Sequence, residues 1–363
     1  MESKDKKVFV GLSGGVDSSV AALLLKNEGY NVVGIHLRCW NKDGCDVPEA
    51  EDARKVADKL GIPYYVLDME KEYKERVVDY MIEGYKKGIT PNPDVMCNRE
   101  IKFGLFLEKA LSMGGDFVAT GHYARKREET RDPEAEQARY GAGKGQGTRY
   151  ELWAAKDKNK DQSYFLWALT QDQLEHVMFP LGELTKEEVR KVAKEAGLPT
   201  AEKKDSQGIC FIGEVTLKDF LEEYLPKRRG NVRTPSGEIL GTHDGAHFYT
   251  VGQRHGLGIS GDDPYYVAGK DMETNTVVLA TRDDETLKQG EIEITDINLI
   301  NKNIPEDVLI RVRYRQLLQK AKVKMQNKNI RVIFESPQEF ITPGQSAVLY
   351  SNEGELFGGG VIL

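Results

Sequence analysis

The chain has 363 residues, 39% of them hydrophobic and 30% charged, with a formal net charge of −7; this is the balance of a globular protein in water, long enough for two or three domains. No run approaches the roughly 18 apolar residues of a membrane span, and the opening MESKDKKVFVGL carries no apolar export signal. Four cysteines (Cys39, Cys45, Cys97, Cys210) are too few and too scattered for a secreted disulfide framework, so the expected location is cytoplasmic.

The first 125 residues alternate between two patterns. KVFVGL, NVVGIHLR, PYYVLDM and DFVATGHY are short apolar runs rich in β-branched and aromatic residues, which read as strands. Between them, SSVAALLLKNEG, AEDARKVADKLG, EYKERVVDYMIEGYKKG and REIKFGLFLEKALSMGG have helical spacing, several closed by glycine. This alternation predicts an α/β fold with a doubly wound parallel sheet, whose ligands sit beyond the carboxyl ends of the strands.

The first strand–helix connection, GLSGGVDSS, is a phosphate cradle without the lysine of G-x-x-x-x-G-K-[ST]. Backbone N–H groups of Ser13–Ser18 can converge on an anion at the positive end of a helix. Gly14 and Gly15 allow close approach, Ser13 and Ser18 add hydroxyls, and Asp17 is placed to hold Mg²⁺ against phosphates. After the second strand, His36, Cys39 and Cys45 form H-x₂-C-x₅-C with no fourth ligand, and incidental cysteines are expected rather than zinc.

Residues 126–150, KREETRDPEAEQARYGAGKGQGTRY, are polar and glycine-rich, as in a surface insertion. LTKEEVRKVAKEAGLP then reads as a helix opened by a Thr185/Glu188 capping box and closed by Gly197 and Pro199. From about residue 230 the pattern changes to short alternating strands with turn residues, as in a small barrel. Three domains are expected: an α/β domain over 1–215, a connecting domain over 216–288 and a β-barrel over 289–363. Within the last, Arg311, Arg313 and Arg315, then Lys320, Lys322 and Lys324, alternate with apolar residues; on two strands they would present six positive charges to a phosphate backbone, or form a solvated outer face.

Two cysteines have chemical surroundings. In TPNPDVMCNREIKFG, Cys97 lies between an Asn-Pro-Asp turn and a helix expected to begin near Arg99, where the helix end, Arg99 and Lys102 would favour a thiolate. In KKDSQGICFIGE, Cys210 lies in a glycine-flanked loop behind Lys203 and Lys204, although beside Phe211 and Ile212 it also fits an inert core residue.

LSGGVDSS resembles the pyrophosphatase loop of the ATP-pyrophosphatase (PP-loop) superfamily, whose members cleave ATP to AMP and pyrophosphate. Together with PNPDVMCNREIKF, ATGHYAR, DKNKDQSYFL, KKDSQGICFIGE, TVGQRHGLGI, VRYRQ and TPGQSAV it is similar to the bacterial tRNA-specific 2-thiouridylases, in the same order from residue 8 to the C-terminus. The resemblance implies a transferase that adenylates O2 of the wobble uridine and replaces that oxygen with sulfur. It implies ATP, with Mg²⁺ near Asp17, on Gly11, Leu12, Ser13, Gly14, Gly15, Val16, Asp17 and Ser18, with Leu37 and Gly121 against the nucleotide. Cys210 would carry the persulfide, Cys97 would be the second nucleophile and Asp94 the general acid/base. The tRNA anticodon stem-loop would meet Asn92, Pro93, Asp94, His122, Lys160, Asp161 and Gln162, and in the barrel Arg313, Tyr314 and Gln345. The implied partners are a persulfide sulfur-carrier protein or cysteine desulfurase, with no membrane, and a monomer is expected. Related thiolases hold an iron–sulfur cluster, for which Cys97, Cys210 and Asp94 are three available ligands; a persulfide relay is favoured. Two other readings remain at this level. A PP-loop ligase adding ammonia would be indifferent to both cysteines, and a non-catalytic ATP-binding module would release no pyrophosphate.

Overall fold

A computed structural model describes residues 5–40, 46–129, 149–204, 216–259, 263–301 and 304–363. The N-terminal part is built from β1 (Lys7–Gly11), α1 (Val16–Asn27), β2 (Asn31–Arg38), α2 (Val47–Leu60) and β3 (Tyr64–Asp68). Two helical rods follow, each with a π-helical stretch inside: α3 (Glu70–Tyr73) and α4 (Asp79–Lys86) flank Lys74–Val78, and α5 (Pro93–Met96) and α6 (Phe106–Ser112) flank Cys97–Leu105. Next come β4 (Phe117–Ala119), a hairpin of β5 (Ala124–Glu129) and β6 (Arg149–Ala154), α7 (Gln171–Glu175), β7 (Val177–Met178) and α8 (Lys186–Glu195).

The expected doubly wound sheet is present. Its order is β3-β2-β1-β4-β7 and every pairing is parallel. Alternate residues serve opposite faces: Val8, Val10 and Val32 pack with α1, α2 and α8, while Phe9, Val33 and Ile35 pack with the helical rods. Burial on both faces explains why these strands read as unbroken apolar runs. The two-residue β7 is too short to leave such a pattern.

The helix expected near Arg99 begins earlier. Asn92 caps it, its side chain accepting from the Val95 N–H at 3.3 Å, and Pro93 occupies the first helical position, where a missing N–H costs nothing. Cys97 therefore lies inside the rod, at the start of the π-helical stretch, rather than before it.

The middle region comprises α9 (Leu217–Glu222), β8 (Gly230–Arg233), β9 (Ile239–His243), β10 (Tyr265–Asp271) and β11 (Thr276–Thr281), with sheet order β10-β11-β8-β9. The C-terminal barrel uses β12 (Lys288–Leu299), β13 (Asp307–Arg311), β14 (Gln319–Gln326), β15 (Asn329–Glu339), β16 (Ser346–Tyr350) and β17 (Glu355–Ile362), closed by pairing of β12 with β17. Strand β17 also pairs with β6, so the β5–β6 hairpin of the N-terminal region extends the barrel's sheet. Part of the expected 126–150 insertion is thus ordered strand; residues 130–148 lie outside the described residues.

The expectation for the basic strands is corrected. β13 ends at Arg311, whose side chain turns in to the buried Asp161, and the chain then turns, with Arg315 in the left-handed region at φ 63°. Arg311, Arg313 and Arg315 thus share no strand face. Lys320, Lys322 and Lys324 do point outward together, but Lys322 pairs with Asp307 at 3.0 Å and Lys320 with Glu335 at 3.8 Å. The six-charge face does not exist.

Candidate active site

Strand β2 fixes the start of the Gly11–Ser18 loop. The Leu12 N–H donates to the Ile35 carbonyl at 2.7 Å, and the Leu12 carbonyl lies 2.9 Å from His36 Nδ1. The other ring nitrogen of His36 is 2.9 Å from Asp46 Oδ1, so this imidazole is committed to the loop and α2. Cys45, the third residue of its spacing motif, lies outside the described residues. Gly14 has φ +74°, and a Cβ there would collide with the Glu49 carbonyl, so only glycine fits. Ser18 Oγ accepts from the Ser13 N–H at 3.2 Å, which closes the loop and directs that donor inward, at the positive end of α1. Gly121 lies on the same turn, where a Cβ would sit 2.6 Å from the Ser18 nitrogen. Leu37, near the end of β2, is partly buried opposite Leu67.

A lysine from outside the loop reaches it. Lys186, the first residue of α8, donates to both carboxylate oxygens of Asp17 at 2.7 and 2.8 Å, and the Tyr123 hydroxyl donates to the same carboxylate at 2.7 Å. The expected capping box places it: the Glu188 N–H donates to Thr185 Oγ1, and the Thr185 N–H to Glu188 Oε2. No local motif could reveal Lys186, because 169 residues separate it from Asp17. In this arrangement the Asp17 carboxylate is matched to an ammonium and a phenol hydroxyl.

A second group surrounds the first turn of α5. Burial pushes the Asp94 carboxyl above its ordinary range, and the Lys102 ammonium pulls it partly back. His122 is buried beside Phe103 and Phe179, with Nδ1 2.8 Å from Thr120 Oγ1. Burial, with Lys102 acting in the same direction, drives its pKa well below the usual value, so the ring is neutral at physiological pH. Cys97 is 4% exposed and its N–H is bonded within the helix. Arg99 is engaged by Glu100 and Asp296 at 3.0 Å each, so the helix-end and Arg99 grounds for a thiolate do not hold. Cys210 lies outside the described residues, and among the described residues no group of three or more His, Cys, Asp or Glu could hold a metal.

Of the barrel residues expected to meet RNA, Gln345 and Tyr314 lie where the barrel reaches this helix. Gln345 Nε2 donates to the carbonyls of Thr90 at 2.8 Å and Pro91 at 3.3 Å, directly before the cap Asn92. The Tyr314 ring lies 4.4 Å from that of Phe165, whose carbonyl accepts from Asn98, the neighbour of Cys97. Arg313 is exposed, with one guanidinium nitrogen 3.4 Å from the Val251 carbonyl. Gln162 pairs with Tyr123 through its main chain and side chain, and Lys160 donates its N–H to Asp157. Asp161 differs from the others: it is 3% exposed, accepts from the N–H groups of Ala155 and Ser163, and pairs with Arg311, which makes it an internal strut.

Comparison with known proteins gives this geometry a family. Residues 6–214 match the tRNA methyl transferase HUP domain, 218–281 the tRNA methyl transferase PRC-barrel domain and 289–362 the aminomethyltransferase beta-barrel domain. Curated relatives named tRNA-specific 2-thiouridylase MnmA include that of Bacillus licheniformis, 47% identical over 99% of this chain and 95% of the relative. Others are those of Staphylococcus saprophyticus (47%, covering 97% and 94%) and Listeria monocytogenes (48%, covering 99% and 95%). With identity at this level over essentially full length, the chain belongs to the tRNA-specific 2-thiouridylase family.

Proposed function

We propose that the chain catalyses ATP-dependent 2-thiolation of the wobble uridine of tRNA, as a monomeric transferase. The observation that carries the reading is the pairing, on one α/β domain, of a loop whose lysine comes from α8 with a helix that bears Asp94 and Cys97. The α1 N-terminus and Lys186 take the pyrophosphate side of ATP. Asp94, with its raised pKa, accepts the N3 proton as O2 of the flipped uracil attacks the α-phosphorus and pyrophosphate leaves. The terminal sulfur of a persulfide on Cys210, loaded by a sulfur-carrier protein or cysteine desulfurase, attacks C2, and AMP departs with the former O2. Cys97 then attacks the Cys210 sulfur, forming a disulfide and releasing 2-thiouridine, and an external thiol reduces the bridge.

The test is to incubate the chain with MgATP, unmodified tRNA and a persulfide donor, digest the RNA and weigh its nucleosides. 2-Thiouridine is expected with wild type and is expected to vanish with Cys210→Ser. Its absence with wild type, or its persistence in the variant, overturns the proposal.

A further inference from the structure

Asp17 stands at the end of two hydrogen-bonded chains that both begin in segment 157–162. In the first, the Gln162 N–H donates to the Tyr123 carbonyl at 2.9 Å and Gln162 Oε1 accepts from the Tyr123 N–H at 3.0 Å; the Tyr123 hydroxyl then donates to Asp17 at 2.7 Å. In the second, Asp157 Oδ2 accepts the Lys186 N–H at 2.9 Å, and the Lys186 ammonium holds both Asp17 oxygens. Tyr123 is 1% exposed and packed among the core residues of α1 and α8, so its ring has no room to swing.

We propose that Tyr123 is a positioning residue for the pyrophosphate loop, and that it links RNA bound at Lys160 and Gln162 to the setting of Asp17. The inference rests on the proposed RNA contact of those two residues. Its physical basis is charge placement. Asp17 lies in the first turn of α1, where a carrier of phosphate must bind, and a carboxylate turned toward that site would repel the nucleotide. The Tyr123 hydroxyl and Lys186 together hold the carboxylate in one orientation. RNA that presses on Gln162 moves the Tyr123 peptide and, through the rigid ring, the hydroxyl.

Tyr123→Phe removes the hydroxyl and leaves the packing. ATP dissociation constants are measured by equilibrium dialysis with and without unmodified tRNA, so the readout needs no turnover. Wild type is expected to bind ATP more tightly with tRNA, and tRNA more tightly with ATP by the same factor. In Tyr123→Phe, ATP binding weakens about tenfold, the size of a lost hydrogen bond to a charged group, and the tRNA effect disappears. Gln162→Ala is expected to lose the same linkage, with no further loss in the double variant. The inference is overturned if wild-type ATP affinity ignores tRNA, if Tyr123→Phe keeps the full tRNA effect, or if the two variants act additively. Failure of the proposed function shows differently, as wild type that makes no 2-thiouridine.

Discussion

Asp94 and Lys102 make the clearest residue-scale test. Asp94's pKa is raised by burial and lowered by Lys102, so the base form is lost as pH falls through a value above the ordinary 3.8. Removing the ammonium in Lys102→Met removes the lowering influence, so the acidic limb of the single-turnover pH profile should move to higher pH; a limb that stays put or moves down would exclude Asp94 as the base. Lys186→Met should raise the KM for ATP by about tenfold or more, because it strips a charged partner from the loop, with Lys186→Arg partly restoring it in steady-state assays. At this scale, legibility followed distance in sequence. Gly14, Gly121, Asp94 and Cys97 stood in short strings that marked them as candidates. Lys186 and Tyr123 reach Asp17 only through the fold, and no local spacing announces them.

Elements were legible where burial was two-sided or a cap was local. β1 and β2 read as strands because both faces are covered, and α8 because Thr185 and Glu188 form a reciprocal cap. Thr185→Ala should therefore cost about 1 kcal/mol in urea unfolding. The β5–β6 hairpin stayed hidden because ARKREE is polar on both faces: it is held by backbone pairing to β6, and β6 by pairing to β17. The alternating arginines misled for a related reason, since periodicity cannot show where β13 ends. Along this seam the Glu355 carboxyl is pushed up to about 7, first by burial and then by the neighbouring Glu151. A raised acid favours the fold below its unfolded value of 4.5, and that advantage is lost as pH rises through about 7. Thermal melts across this window should fall with pH in wild type and flatten in Glu355→Gln; an equal slope in both would refute the assignment.

At the scale of the molecule, the N-terminal domain and barrel are joined by more than surface contact. A shared sheet, the Gln345 bonds to Thr90 and Pro91, and the ion pair of Asp161 (2% side-chain exposure) with Arg311 (13%) tie them together. Arg311→Met would leave a buried carboxylate uncompensated and should cost about 3–5 kcal/mol in chemical denaturation, much of it recovered by adding Asp161→Asn. This joint brings Gln345 and Tyr314 of the barrel to the helix start that carries Asp94 and Cys97. The central claim is that O2 of the uracil leaves on AMP. A tRNA transcript carrying ¹⁸O at uridine O2, incubated with ATP and a persulfide donor, should yield one ¹⁸O-labelled AMP per 2-thiouridine by mass spectrometry. Unlabelled AMP, or ADP as the nucleotide product, would contradict the account.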